Sequence, residues 1–165
     1  KLSRFRSHSR IVQNFVLVWL DPNIDGKLND EHREIVNQVR SIVSNVKIYS
    51  DVDKCANFLD KIKNEKVFMI VSGALGQHAL PRIHHIPKLD SIYVFCGLRS
   101  HHEPWAQKWT KIKGVFTQIT PICDSLKQTI QKFEQNFLSL SFVTPSNVSD
   151  QNLDQLDQSF MYTQI

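Results

Sequence analysis

The 165-residue chain predicts an α/β fold: a three-layer α/β/α sandwich around a five-stranded parallel sheet in the order 2-1-3-4-5. Three observations carry this. Short β-prone runs recur along the chain, helical patterns separate them, and the first, third and fourth runs are almost continuously apolar. Continuous apolarity suits strands covered on both faces, so these three are central, while the more polar second and fifth suit the edges.

The first run is 15–20 (FVLVWL). A helix over 29–43 follows, with Ile35, Val36, Val39, Ile42 and Val43 at helical spacing behind an Asn29 or Asp30 cap. The second run is 46–49 (VKIY), and the helix over 51–63 starts at Asp51 or Asp53 with Cys55, Phe58, Leu59 and Ile62 on one stripe. After the third run, 67–71 (VFMIV), residues 77–85 predict a short helix distorted by Pro81 and Pro87. The fourth run is 92–96 (IYVFC), and 101–109 predicts a helix with Pro104 in its first turn and Trp105 and Trp109 on one face. The fifth run is 114–119 (GVFTQI); then Thr120 caps a helix over 121–137 with Ile122, Leu126, Ile130, Phe133 and Phe137. This alternation is that of a flavodoxin-like or receiver-like sandwich. The organisation expected is a basic flexible arm over 1–12, the α/β domain over 13–138, and an extension or connector over 139–165. Within the last, 139–143 reads as an extra strand or extended linker, followed by a Pro/Ser/Asn turn.

The formal charge of +4 comes from Lys1, Arg4, Arg6 and Arg10, none of them balanced by an acid in the first ten residues. The rest of the chain is neutral, which disfavours nucleic acid as a partner because a basic face is missing. The longest apolar stretch, 15–20, is far short of the roughly 20 residues of a membrane-spanning helix. The basic start followed by 11–20 has the outline of a secretory signal. Gln13 and Asn14 interrupt it, however, Asp21-Pro22 ends it, and no small-residue cleavage site follows. Cys55, Cys96 and Cys123 are an odd set without paired spacing, as suits reduced thiols. A chain that starts at Lys reads as a fragment of a longer polypeptide, and its expected location is the cytoplasm.

In a sheet of this kind ligands lie beyond the carboxyl ends of the strands. The residues delivered there are Asp21, Asp25, Ser72, Gly73, Cys96, Gly97, Gln118 and Thr120. A phosphoacceptor receiver needs an acidic pair after the first strand, an aspartate ending the third, a hydroxyl ending the fourth and a lysine ending the fifth. Here only the acidic part survives: Ser72 stands at the acceptor position, Cys96 or Gly97 at the hydroxyl and Gln118 at the lysine. Toll/interleukin-receptor domains that cleave NAD use a glutamate after the third strand, and 66–102 contains none. Caspase-type peptidases place a histidine after one central strand and a cysteine at the end of the next, which makes His78 and Cys96 the candidate base and nucleophile of a Cys/His hydrolase. The histidine-glycine pair and glutamine-alanine-cysteine context of that family are absent, and a cysteine ending a core strand suits a small buried hydrophobe.

The pairs His84-His85 and His101-His102 lack the spacing that puts two ligands on one helix face, so no metal is expected, nor any cofactor. Gly73 and Gly76 are compatible with a phosphate nest but lack the lysine and hydroxyl of a P-loop, and predict a tight turn. Trp105, Trp109 and Lys108 form a candidate partner-docking surface.

Segments 15–21 (FVLVWLD), 51–58 (DVDKCANF), 66–77 (KVFMIVSGALGQ), 89–96 (LDSIYVFC), 111–123 (KIKGVFTQITPIC) and 153–164 (LDQLDQSFMYTQ) carry a resemblance that covers nearly the whole chain from about residue 13. The chain resembles the amino-terminal receiver-like module of large invertebrate, notably rotifer, multidomain proteins. In these the module precedes an arginine-type mono-ADP-ribosyltransferase domain or tetratricopeptide repeats. The arginine, serine and glutamate motif of such a transferase is not found here, so the resemblance transfers no catalytic residue. Together these readings predict a noncatalytic signalling or interaction module with a degenerate receiver-like pocket, whose partner is a protein or an adjacent domain. The alternatives are the Cys96/His78 hydrolase and a fragment of a mono-ADP-ribosyltransferase lacking its catalytic domain.

Overall fold

A computed structural model describes residues 14–24 and 30–149, the side chains of 137–149 excepted. The predicted arm, Asp25 and the end of the tail lie outside the described residues. The chain divides into two compact units, Lys1–Lys127 and Gln128–Ile165, and the first contains the whole sheet.

Five strands, β1 (Phe15–Leu20), β2 (Val46–Tyr49), β3 (Lys66–Ser72), β4 (Leu89–Phe95) and β5 (Ile112–Phe116), pair in the order β2-β1-β3-β4-β5. Every pairing is parallel. The helices are α1 (Asp30–Arg40), α2 (Val52–Lys61), α3 (Gly73–Ile83), α4 (Arg99–Ala106) and α5 (Ile119–Ser149), the last beginning in the first unit. This is the flavodoxin-like sandwich that the alternation predicts.

The pleat sorts the core into two faces. Val16, Val18 and Leu20 of β1 join Val67, Met69 and Val71 of β3 and Ile92 and Val94 of β4 under Cys55 and Leu59 of α2, Leu80 and Ile83 of α3, and Trp105 of α4. The alternate positions Leu17, Trp19, Phe68, Ile70 and Tyr93 are equally buried on the opposite face. There the Ser125 hydroxyl at the start of α5 lies 3.5 Å from the Tyr93 hydroxyl. Burial on both faces explains why β1, β3 and β4 read as continuous apolar runs.

Several boundaries differ from the sequence reading, each for a local reason. Helix α3 starts at Gly73, directly after the strand, because the Ser72 hydroxyl accepts the backbone N–H of Leu75 at 3.2 Å and caps it. The predicted distorted helix over 77–85 is therefore an eleven-residue helix with Pro81 inside it, and Gly73 and Gly76 lie in its first turns rather than in a tight turn. Helix α4 starts two residues earlier than predicted and ends at Ala106, so Pro104 falls in its second half and Trp109 beyond its end. Strand β5 ends at Phe116, three residues early, which puts Thr120 inside α5 rather than at its cap. Residues 139–143, read as a strand or linker, and the turn predicted after them are helical. Of the two starts offered for the second helix, Asp51 is the cap, its carboxylate accepting the N–H of Lys54 at 3.0 Å, and Asp53 lies in the first turn.

Candidate functional site

An open cleft of about 460 Å³ lies at the carboxyl end of the sheet. Its walls come from the loops after β1, β4 and β5 and the end of β3, together with the first turns of α3 and α4. This is where parallel strands and their crossovers leave a crevice.

Of the candidate pocket residues, Asp21, Ser72, Gly73, Cys96 and Gly97 line it. Asp21 is held at both ends: its N–H donates to the Tyr49 carbonyl at 2.9 Å, and its carboxylate accepts the Asn23 N–H at 2.9 Å. The second contact is an Asx turn that directs the chain away from β1 through Pro22, so part of the carboxylate's hydrogen-bonding capacity serves the loop. The Ser72 hydroxyl is similarly engaged, as the α3 cap.

Cys96 is half-buried, and its N–H donates to the Phe116 carbonyl at 2.9 Å. Burial pushes its thiol pKa up, while the Leu98 N–H and Arg99 pull the other way and Glu103 adds to the rise. The net direction favours the neutral thiol, the opposite of what activates a cysteine nucleophile. His78, the predicted base, is exposed on α3 and does not line the cleft. The histidine that shares the cleft with Cys96 is His102.

Gln118 and Thr120 are not part of the cleft; the early end of β5 gives their place to Thr117. The predicted docking surface also changes. Trp105 is 9% exposed, within the core under α3, and Trp109 is half-buried with its ring centroid 4.6 Å from that of His84. Of that group only Lys108 is exposed. Leu98, 52% exposed next to Gly97, is the single exposed large hydrophobic residue among the described residues. Among the described residues there is no cluster of metal-ligating side chains, and no helix is long and apolar enough to cross a membrane.

His102 is the cleft residue that the sequence reading missed. Its Nδ1 accepts the indole N–H of Trp105 at 3.1 Å, which assigns the ring proton to Nε2. An ideal Cβ on Gly73 would sit 2.4 Å from His102 Nε2, and one on Gly76 would sit 2.7 Å from Trp105 Cη2. The available signal was the matched spacing, Gly73 and Gly76 on one helix against His102 and Trp105 on another, three residues apart in each case.

Comparison with known proteins finds no match to this chain among family models, curated proteins or solved structures.

Proposed function

We propose that the chain is a noncatalytic signalling or interaction module, a receiver-like domain of a larger cytoplasmic protein that docks a protein partner or an adjacent domain of its own polypeptide. The observation that carries this reading is Ser72. At the end of β3, where phosphotransfer needs an acceptor carboxylate, stands a hydroxyl already used to cap α3. Two further features support it: the position just after β4 holds a thiol kept neutral by burial, and among the described residues no lysine lines the cleft. Exposed Leu98, beside Gly97 of the cleft, is the apolar contact point for a partner at this end of the molecule, whereas exposed Lys108 lies past the far end of α4. The resemblance to modules that precede mono-ADP-ribosyltransferase domains or tetratricopeptide repeats supports placing it in a multidomain polypeptide.

The test is exposure to acetyl phosphate and Mg²⁺ with intact-mass readout. No phosphoryl adduct is expected. An acid-stable or acid-labile adduct that disappears in Asp21→Asn would overturn the reading. The multidomain part is tested by sequencing the encoding transcript, which is expected to continue in frame into a transferase or repeat region.

A further inference from the structure

We propose that His102 and Trp105 form a proton-operated latch that fastens α4 to the start of α3 along one wall of the cleft. Three contacts define it. The Trp105 indole N–H donates to His102 Nδ1 at 3.1 Å, with the two rings crossed at 84°. The Trp105 ring occupies the space over Gly76, and the His102 ring the space over Gly73. The position of an ideal Gly73 Cβ, 2.4 Å from Nε2 and 2.7 Å from both carbons bonded to it, lies above the ring; a point beyond Nε2 in the ring plane would be much farther from the carbons than from the nitrogen. The imidazole therefore lies face-on against the first residue of α3.

This arrangement requires the neutral ring. A protonated imidazole carries N–H at both nitrogens and has no acceptor left, so Trp105 would face a donor instead of a lone pair. The indole N–H of a residue only 9% exposed then lacks its partner, an unfavourable state that drives rearrangement. The positive charge would also rest against the amino end of α3, where the helix dipole opposes it. Both effects release the same contact, and because His102 and Gly73 line the cleft, release changes its wall.

The charged and titratable groups around the latch among the described residues are few. Across the cleft stand Asp21 and Cys96; on α4 itself are Arg99, His101 and Glu103, of which Arg99 and Glu103 pair at 2.9 Å. Helix α3 contributes no charged residue in its first turn. The latch does not depend on the proposed interaction function: a domain that accepted phosphate would still carry it.

NMR of ¹⁵N-labelled protein tests it, following the His102 ring nitrogens and the Trp105 indole N–H from pH 8 to pH 5, with Trp105→Phe assigning the indole signal. At pH 8 His102 should be the Nε2–H tautomer. On acidification the indole signal should lose its hydrogen-bonded position with the same midpoint as His102, and the Gly73 and Gly76 amides should follow. His102→Gln, whose side-chain oxygen can still accept from Trp105, should keep the indole at its bonded position across the range. An indole signal that stays still while His102 titrates, or that moves equally in His102→Gln, would overturn the latch. The wild-type titration decides alone if His102→Gln does not fold.

Discussion

The rings of His102 and Trp105, joined by a 3.1 Å hydrogen bond, each rest on a glycine of α3, His102 on Gly73 and Trp105 on Gly76. In a helix interior, exchange of glycine for alanine ordinarily stabilises by about 1 kcal/mol. At Gly76 the sign should reverse. The new Cβ would stand 2.7 Å from a buried indole and 3.4 Å from Val71, with no flexible side chain to give way. Gly76→Ala is expected to cost about 1–3 kcal/mol in denaturant unfolding, as overpacking does. Gly73→Ala meets a half-buried imidazole that can swing out, so it should cost less stability but displace His102. A stabilised Gly76→Ala variant would refute the packing role.

Ser72 separates structure from chemistry in one residue. Ser72→Ala removes the α3 cap and should lower stability by about 1 kcal/mol. Ser72→Asp keeps an acceptor for the Leu75 N–H and should retain near wild-type stability, while it places a carboxylate beside Asp21 in the cleft. Thermal unfolding of the two variants measures both. A loss in Ser72→Asp equal to that in Ser72→Ala would show that the cap geometry does not tolerate the carboxylate.

The sheet was legible in the sequence because burial on both faces leaves an unmixed signal, as in FVLVWL, and because loops between parallel strands must be long enough to hold a helix. The cleft was legible in part for the same topological reason, since Ser72 ends β3 while Asp21 and Cys96 directly follow β1 and β4. What escaped was whatever depends on contacts between helices. Gly73 and Gly76 read locally as turn residues, and only the approach of α4 explains them. Trp105 looked like a surface ring on a polar helix because its covering partner, α3, lies more than twenty residues earlier in the chain. The carboxyl end of β5 was misplaced because Thr117 to Ile119 continue an extended-looking pattern into what is the start of α5.

The thiols predict a one-sided pH response. Burial pushes Cys55 from the ordinary 9.0 up to about 12, and Cys96 and Cys123 are raised in the same direction, as is the Tyr49 phenol. The folded state therefore holds protons that the unfolded chain has already released, and stability should fall as pH rises from about 9 toward 12. Well below pH 9 these groups are neutral in both states and contribute no slope. In iodoacetamide titration followed by intact mass, alkylation should be slow at neutral pH. Half-buried Cys96 should react first as pH rises and buried Cys55 last. Fast neutral-pH labelling of Cys96, slowed in His78→Ala, would instead favour the Cys/His hydrolase.

Trp19 closes the opposite face of the sheet at a cost. It is 1% exposed, crosses Phe95 edge-on with ring centroids 6.2 Å apart, and its indole N–H has no hydrogen-bond partner among the described residues. An unpaired buried donor costs about 1–3 kcal/mol. Trp19→Phe removes that donor while it keeps an aromatic ring in the layer, so recovered desolvation offsets part of the lost packing. The expected change in unfolding free energy is below about 2 kcal/mol, well short of the roughly 3–5 kcal/mol of truncating a buried Trp to Ala. Denaturant unfolding of Trp19→Phe and Trp19→Ala side by side provides the comparison. Equal losses would mean that the N–H does find an acceptor in solution and that its bond, rather than its absence, shapes this part of the core.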